Sequence, residues 1–508
     1  MTKKYQYNAS FLYIKKAFMK KKRTVTKNFG ILCIGSLMLF ALTLMCILPH
    51  LRVVAADVTP TLGLSANLFC QSDTSDATNS NLQWNTSLGS QVDHYLVYRA
   101  VGNESFTQCY ETTGLLYQEY DLEIGKTYSY QVKAIGSNGS VLATSNTATV
   151  TPCRVSSDLQ VHSNMTGGDL YYPTSGTKIG DTYYRYSMKN DSNGAYLVES
   201  TSTDGITFSN ERVVADKSQN SDLASCKLES VQMKYVEQAG KMIIWAHWEL
   251  PSGYASGKAL VITGTPGGSF TVHHIYNPLG IYVRDMTIFI DDDGTGYLAA
   301  ASNEEGQGAN ATLYLFKMNS TYDDITEVVK KLHENQYREF PNMVKRDGYY
   351  YLFTSQAAGW YPSSGGYTVT KNLYGDWSEL RSIGNTSTFS SQSGWVENIG
   401  SNGNCVLHAY RWLRSSDTAG STLCPLYFAN GYAFYDYCTS FRYSTTTGEL
   451  YPVQEGKLAP LTSLLLLLSA QAPTAAEKQP ELHRHLTVLT RHASRHPKRH
   501  GHFTYRLT

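Results

Sequence analysis

Asp347-Gly348-Tyr349-Tyr350-Tyr351-Leu352-Phe353 is a turn opening onto an aromatic-rich strand. Three earlier stretches repeat the form: Asp181-Thr182-Tyr183-Tyr184-Arg185-Tyr186, Gly240-Lys241-Met242-Ile243-Ile244-Trp245 and Asp293-Gly294-Thr295-Gly296-Tyr297-Leu298. They recur about every 50 to 60 residues, the rhythm of a propeller with one such strand per four-stranded blade. A fifth unit is carried by His408-Ala409-Tyr410-Arg411-Trp412 and Pro425-Leu426-Tyr427-Phe428. The expected fold class is all-β, with a five-bladed β-propeller over residues 155–457.

Composition agrees. Charged residues make up 17% of the 508-residue chain against 38 Tyr and 40 Gly, a balance suited to short strands and tight turns rather than helices. The length calls for more than one domain. Upstream of the repeats, Leu82-Gln83-Trp84, Tyr95-Leu96-Val97-Tyr98-Arg99 and Tyr128-Ser129-Tyr130-Gln131-Val132-Lys133-Ala134 alternate apolar and polar residues, as half-buried strands do. With Gly125-Lys126-Thr127-Tyr128 and the closing Thr149-Val150, the segment 57–154 resembles a fibronectin type III β-sandwich. That resemblance implies a spacing or presenting module rather than chemistry.

The two ends differ from the middle. The first 28 residues hold nine Lys or Arg and no acid, and precede an uncharged run from Phe29 to Leu48 that ends near Ala55-Ala56. This is the order of an export signal, cleaved after Ala56 or kept as a membrane anchor, and a secreted or cell-surface protein is expected. From 458 the chain turns Leu-rich, then basic with His483, His485, His492, His496, His500 and His502, and reads as a disordered tail without evolved structure. Net charge of +1 gives no signal for nucleic acid. Seven cysteines lie outside the apolar run without CxxC spacing, so no zinc site is indicated. A Cys70–Cys109 bridge and buried free thiols are both open readings. No metal or cofactor is expected, and the chain is expected to be a monomer.

Glycoside hydrolysis needs a carboxylic acid to protonate the leaving oxygen, and a second group to activate water or attack. Asp285 and Glu339 interrupt apolar strand contexts, each with Arg immediately before it. A guanidinium lowers a carboxylate pKa and burial raises it, so a general acid requires burial to win. An Arg–acid surface pair is the competing reading. Asp291-Asp292-Asp293-Gly294 lacks the later ligands of a calcium loop and reads as a hairpin turn.

The block from Arg284-Asp285-Met286-Thr287-Ile288-Phe289-Ile290 through Leu298, and then Arg338-Glu339-Phe340-Pro341-Asn342-Met343, resembles glycoside hydrolase family 43, in particular its exo-β-1,3-galactanases. Tyr254-Ala255-Ser256-Gly257-Lys258-Ala259, Gly359-Trp360-Tyr361-Pro362 and Thr388-Phe389-Ser390-Ser391-Gln392-Ser393 extend the match in order. The resemblance implies Glu339 as general acid, Asp285 as the carboxylate that tunes it, and Gln392 as the group holding the attacking water. It implies Glu229 and Tyr254 as sugar contacts. Aromatic planes suit sugar faces, and Trp360 is the expected stacking residue, with Trp245, Trp248 and Trp395 expected to pack between blades.

The chain departs from the family on the first blade. The His-Gly-Gly segment appears as Asn164-Met165-Thr166-Gly167-Gly168-Asp169, and Met188 stands where an acid often follows. Asp169 is therefore a second candidate, as base or sugar contact. The expected activity is inverting release of terminal galactose from β-1,3-galactan, with acid and water-holding group roughly 6.5–9.5 Å apart. Arabinofuranosidase or xylosidase activity, and a non-catalytic carbohydrate-binding propeller, are the alternatives. The expected partner is a polysaccharide or oligosaccharide, with membrane contact only through an uncleaved N-terminal segment.

Overall fold

The computed structural model describes residues 62–454 apart from 72–75, 165–176, 206, 304–309, 400–402, 413–417 and 436. The export segment, the tail and Asp169 lie outside the described residues. Among the described residues regular structure consists of strands and four single-turn 3-10 helices, with no α-helix. No helix there is long and apolar enough to cross a membrane.

Asp347 (φ 50°) and Gly348 (φ 74°) both take the left-handed conformation, and the flanking Arg346 and Tyr349 pair across the turn. Two positive φ values give a two-residue hairpin the twist of its strands, which is why Asp-Gly stands there. Asp291–Thr295 is likewise a hairpin, closed by Gly294 N–H donating to the Asp291 carbonyl at 2.9 Å.

Five antiparallel four-stranded sheets follow in chain order over 177–215, 227–276, 286–332, 338–383 and 392–435, here sheets I to V. None closes on itself. The first strands of sheets II, III, IV and V lie side by side. Alternation along a strand explains the packing. In Lys241–Glu249, Met242, Ile244, Ala246 and Trp248 face Leu197 and Ala195 of sheet I, while Ile243 and Trp245 face Leu298, Ala300 and Phe316 of sheet III. With period two, a strand buried on both faces is apolar throughout. Met343 and Leu352 continue the series between sheets III and IV, and Tyr351 and Phe353 between IV and V.

Before the five sheets, two sheets face each other around Leu64, Leu82, Trp84, Val97, Tyr130 and Val132. One holds Leu62–Gln71, Asn79–Thr86 and Leu116–Glu119, the other Thr107–Thr112, Val92–Val101, Tyr128–Gly136, Val141–Thr144 and Ala148–Val150. Arg99 and the Tyr130 hydroxyl both donate to the buried Glu119 carboxylate.

The strands Ser440–Tyr443 and Leu450–Gln454 join neither sheet V nor a sixth sheet. They extend the sheet of Leu62–Gln71, with Cys70 paired in parallel to Val453 and Gln71 to Gln454. Gly63 meets the Ala429 carbonyl and the Tyr432 ring so closely that an added Cβ would lie 2.5 Å from that oxygen. Asn164 links the entrance of the five-sheet stretch to its last sheet, donating to the Leu423 carbonyl at 2.6 Å and accepting from Leu423 N–H at 2.9 Å.

The Cys70–Cys109 bridge is not formed. None of the seven described cysteines is in a disulfide. Cys70 is buried beside Val453 and Val155, whereas the Cys109 thiol points to the Val97 carbonyl on the other sheet of the sandwich.

Candidate active site

Glu229, Glu339 and Gln392 lie on the first strands of sheets II, IV and V, and Asp285 directly precedes the first strand of sheet III. Three of these strands slip register beside the functional residue, between Glu229 and Gln232, Glu339 and Asn342, and Ser393 and Val396. Ser230 (φ 47°) and Phe340 (φ 52°) take up the irregularity. A bulge re-aims the neighbouring side chain and leaves backbone groups free for other partners. Here those partners lie on the adjacent sheet. Met286 N–H donates to Ser230 Oγ at 2.9 Å, Val396 N–H to Asn342 Oδ1 at 3.1 Å, and Phe340 N–H to the Asp285 carboxylate.

Glu339 is 7% exposed. Its Oε1 accepts from Gln392 Nε2 at 2.7 Å and Ala358 N–H at 3.3 Å, and its Oε2 from Asn310 Nδ2 at 2.9 Å. Burial pushes its carboxyl above the ordinary range, while these three donors pull the other way. Asp285 is raised to about 7, first by burial, then by the negative charges of Glu339 and Glu229. Part of its surface is open, yet its carboxyl is enclosed enough for desolvation to dominate. Burial raises both carboxyls, and the negative charge of Glu339 discourages ionisation of Asp285 further.

The Arg–acid pairing suggested by sequence order is not made by either arginine among the described residues. Arg338 turns to Thr354 Oγ1 and the carbonyls of Thr354 and Ser364, fixing the segment that carries Ala358 and Trp360. Arg284 donates to the Tyr254 carbonyl. Both acids thus escape a direct guanidinium contact.

At the other end of the cluster the Tyr254 hydroxyl donates to Glu229 Oε1 at 2.6 Å, and the Tyr254 ring lies 6.3 Å from that of Trp360. Trp360 is 39% exposed and available for stacking, whereas Trp245 and Trp248 are buried between sheets and Trp395 packs against His408.

Gln392 differs from expectation. Its amide is in direct contact with Glu339 rather than across a sugar-sized gap. Trp412 Nε1 donates to Gln392 Oε1 at 2.6 Å, and since indole N–H can only donate, it fixes the amide with Nε2 toward Glu339 and Ser355 Oγ. Asn310, Ser355, Ala358 and Trp412 also belong to the site, and nothing in the sequence marks them. Asn and Ser within strands and turns carry no distinctive spacing, and Trp412 reads only as part of a strand.

Residues 243–412 match the model of glycosyl hydrolases family 43. This region of the chain is similar to the family 43 glycosyl hydrolases. The family 43 match takes in Tyr254, Asp285, Glu339, Trp360 and Gln392 and leaves Glu229 just upstream. The protein is a glycosidase, acting on O-glycosyl bonds. Similar solved structures include an exo-β-1,3-galactanase from Clostridium thermocellum, 29% identical, covering 59% of this chain and 69% of that chain with a TM-score of 0.49. Another is an exo-β-1,3-galactanase from Phanerochaete chrysosporium with galactose, 23% identical, covering 58% of this chain and 70% of that chain with a TM-score of 0.48. No curated protein matches the chain.

Proposed function

We propose that this family 43 glycosidase is an exported exo-β-1,3-galactanase that removes terminal galactose by inversion. In this reading sheets I to V are the blades of a five-bladed propeller, and the N-terminal sandwich is a fibronectin type III-like module. The observation that carries the chemistry is the enclosure of the Asp285 and Glu339 carboxyls, both raised by burial, among Glu229, Tyr254 and Gln392 on neighbouring sheets.

Glu339 gives its proton to the leaving glycosidic oxygen. Asp285 keeps that proton available beforehand, since a second negative charge alongside is unfavourable. Once the proton has left, Asn310, Gln392 and Ala358 N–H already point at the carboxylate that remains, so no reorganisation is needed to stabilise it. Glu229 and Tyr254 take sugar hydroxyls, and Trp360 covers an apolar sugar face. Inversion is favoured because Gln392, an amide, cannot serve as nucleophile. Its Oε1 keeps a second lone pair beyond the Trp412 bond, which suits it to hold water once sugar enters.

The test is galactose release from β-1,3-galactan, with arabinan and xylan as comparison substrates. Wild type should release galactose with α configuration first seen by NMR, and Glu339→Gln should release it about 10²–10⁴-fold more slowly while melting no lower than wild type. Release of arabinose or xylose instead reassigns the sugar, and a β product overturns inversion.

A further inference from the structure

One buried polar atom at the site is not used by the acid pair. His247 is 1% exposed and sits on Lys241–Glu249 opposite Glu229. Its Nε2 is 3.0 Å from Glu249 Oε1. Glu249 also accepts from Ser256 N–H at 2.7 Å and Gly257 N–H at 2.9 Å. Burial pushes the Glu249 carboxyl up, but these contacts outweigh it and hold the group down at about 2. An ionised carboxylate only accepts, so His247 Nε2 carries a hydrogen. The opposite nitrogen, Nδ1, is buried without a hydrogen-bond partner among the described residues and lies 3.7 Å from Glu229 Oε2.

That gap has a proton count. In the neutral ring Nδ1 is a bare lone pair facing a carboxylate oxygen, two acceptors with nothing to share. With a proton on Nδ1 the same pair attracts, and Glu229 is held from both sides, by Tyr254 on Oε1 and by His247 on Oε2. We propose that His247 is a positioning residue which, anchored by Glu249 and protonated at Nδ1, fixes the Glu229 carboxylate in the orientation that receives sugar hydroxyls. The inference rests on the sugar-binding reading of Glu229. The charged and titratable groups around it are Glu249 on its own strand, Glu229 and Lys227 on the preceding strand, Tyr254 on the following loop, and Arg284 and Asp285 beyond that ring.

Only a ring with a proton on both nitrogens can make this contact while keeping its bond to Glu249. His247→Gln keeps an N–H for Glu249 and loses the atom facing Glu229. His247→Asn puts an amide near the place of Nδ1 that does not titrate. Two measurements separate the inference from the reading beneath it. The first is a double-mutant cycle of His247→Gln and Glu229→Gln on urea midpoints without sugar, at about pH 5.5 and about pH 8.5. Coupling at the lower pH that vanishes at the higher supports the proposal, and additivity at both overturns it. The second is calorimetric binding of β-1,3-galactobiose to full-length chain carrying Glu339→Gln. There His247→Gln should weaken binding about tenfold at the lower pH, and have no further effect once Glu229→Gln is present. His247→Asn should retain part of the affinity without the pH dependence. Equal weakening with and without Glu229 overturns the positioning role. Absence of sugar binding by the parent chain, with the cycle intact, removes the sugar reading and leaves the pair.

Discussion

Enclosed carboxylates are treated in opposite ways by the two halves of the molecule. In the N-terminal sandwich Glu119 is met by Arg99 and the Tyr130 hydroxyl, so its charge is matched inside an apolar core built on Trp84 and its neighbours. At the junction of sheets III, IV and V, Asp285 and Glu339 each follow an arginine in sequence, yet both arginines turn to other groups. The sandwich neutralises its buried charge, and the site keeps its own unneutralised. Unpaired buried acid costs stability, and that cost is what keeps a proton available near neutral pH. Bulges and left-handed residues gather beside these acids as well, at Ser230 and Phe340.

The contrast can be broken most directly at Glu339. Glu339→Gln should lower kcat by about 10²–10⁴-fold, the usual worth of a general acid, with an unchanged or higher Tm. A lowered Tm with intact turnover would place Glu339 among the structural acids instead. Trp84→Ala should do the reverse. It removes a fully buried indole and should cost about 3–5 kcal/mol in urea unfolding, with kcat intact in the fraction that remains folded.

Asp285→Asn sharpens the pH side. The folded-state pKa of Asp285 lies above its unfolded value, so the folded chain holds the proton more tightly and stability falls as pH rises from about 4 to about 7. The substitution should remove that decline and leave the variant more stable than wild type above pH 7, while lowering kcat. A variant less stable at high pH would show that Asp285 is better compensated than its surroundings indicate. At the contact between the halves, Gly63→Ala should cost about 1–3 kcal/mol, since its Cβ meets the Ala429 carbonyl and Tyr432. Trp412→Phe is the mildest. Loss of one bond to Gln392 should cost about 1 kcal/mol and lower kcat more than it raises KM.

The strand rhythm was legible because it is written locally. Asp347-Gly348 can make only a narrow set of turns, and the aromatic strand after it alternates between two neighbours within a few residues. Asp285 and Glu339 were legible because an acid in an apolar strand is conspicuous. The bulges were not, because register depends on the partner strand and leaves no mark in the bulged one. Nor was the role of His247, which reads as one more residue of a buried strand until Glu249 and Glu229 are seen on either side. Gln392 was found, but its direct contact with Glu339 is set by Trp412, twenty residues later and on a different strand. The return of Leu450–Gln454 to Leu62–Gln71 had no sequence signature, because parallel pairing between Cys70 and Val453 joins residues with nothing in common but their place in the fold.

That pairing carries a consequence for synthesis. Leu62–Gln71 leaves the ribosome early, while its partner at 453–454 is made more than 380 residues later. At ordinary translation speeds the wait is roughly 20–80 s. Throughout it the far end of the first strand presents unpaired amides and carbonyls that a neighbouring nascent chain could capture. The last strand therefore acts as a latch, and a polypeptide interrupted before Leu450 would display a permanently open edge.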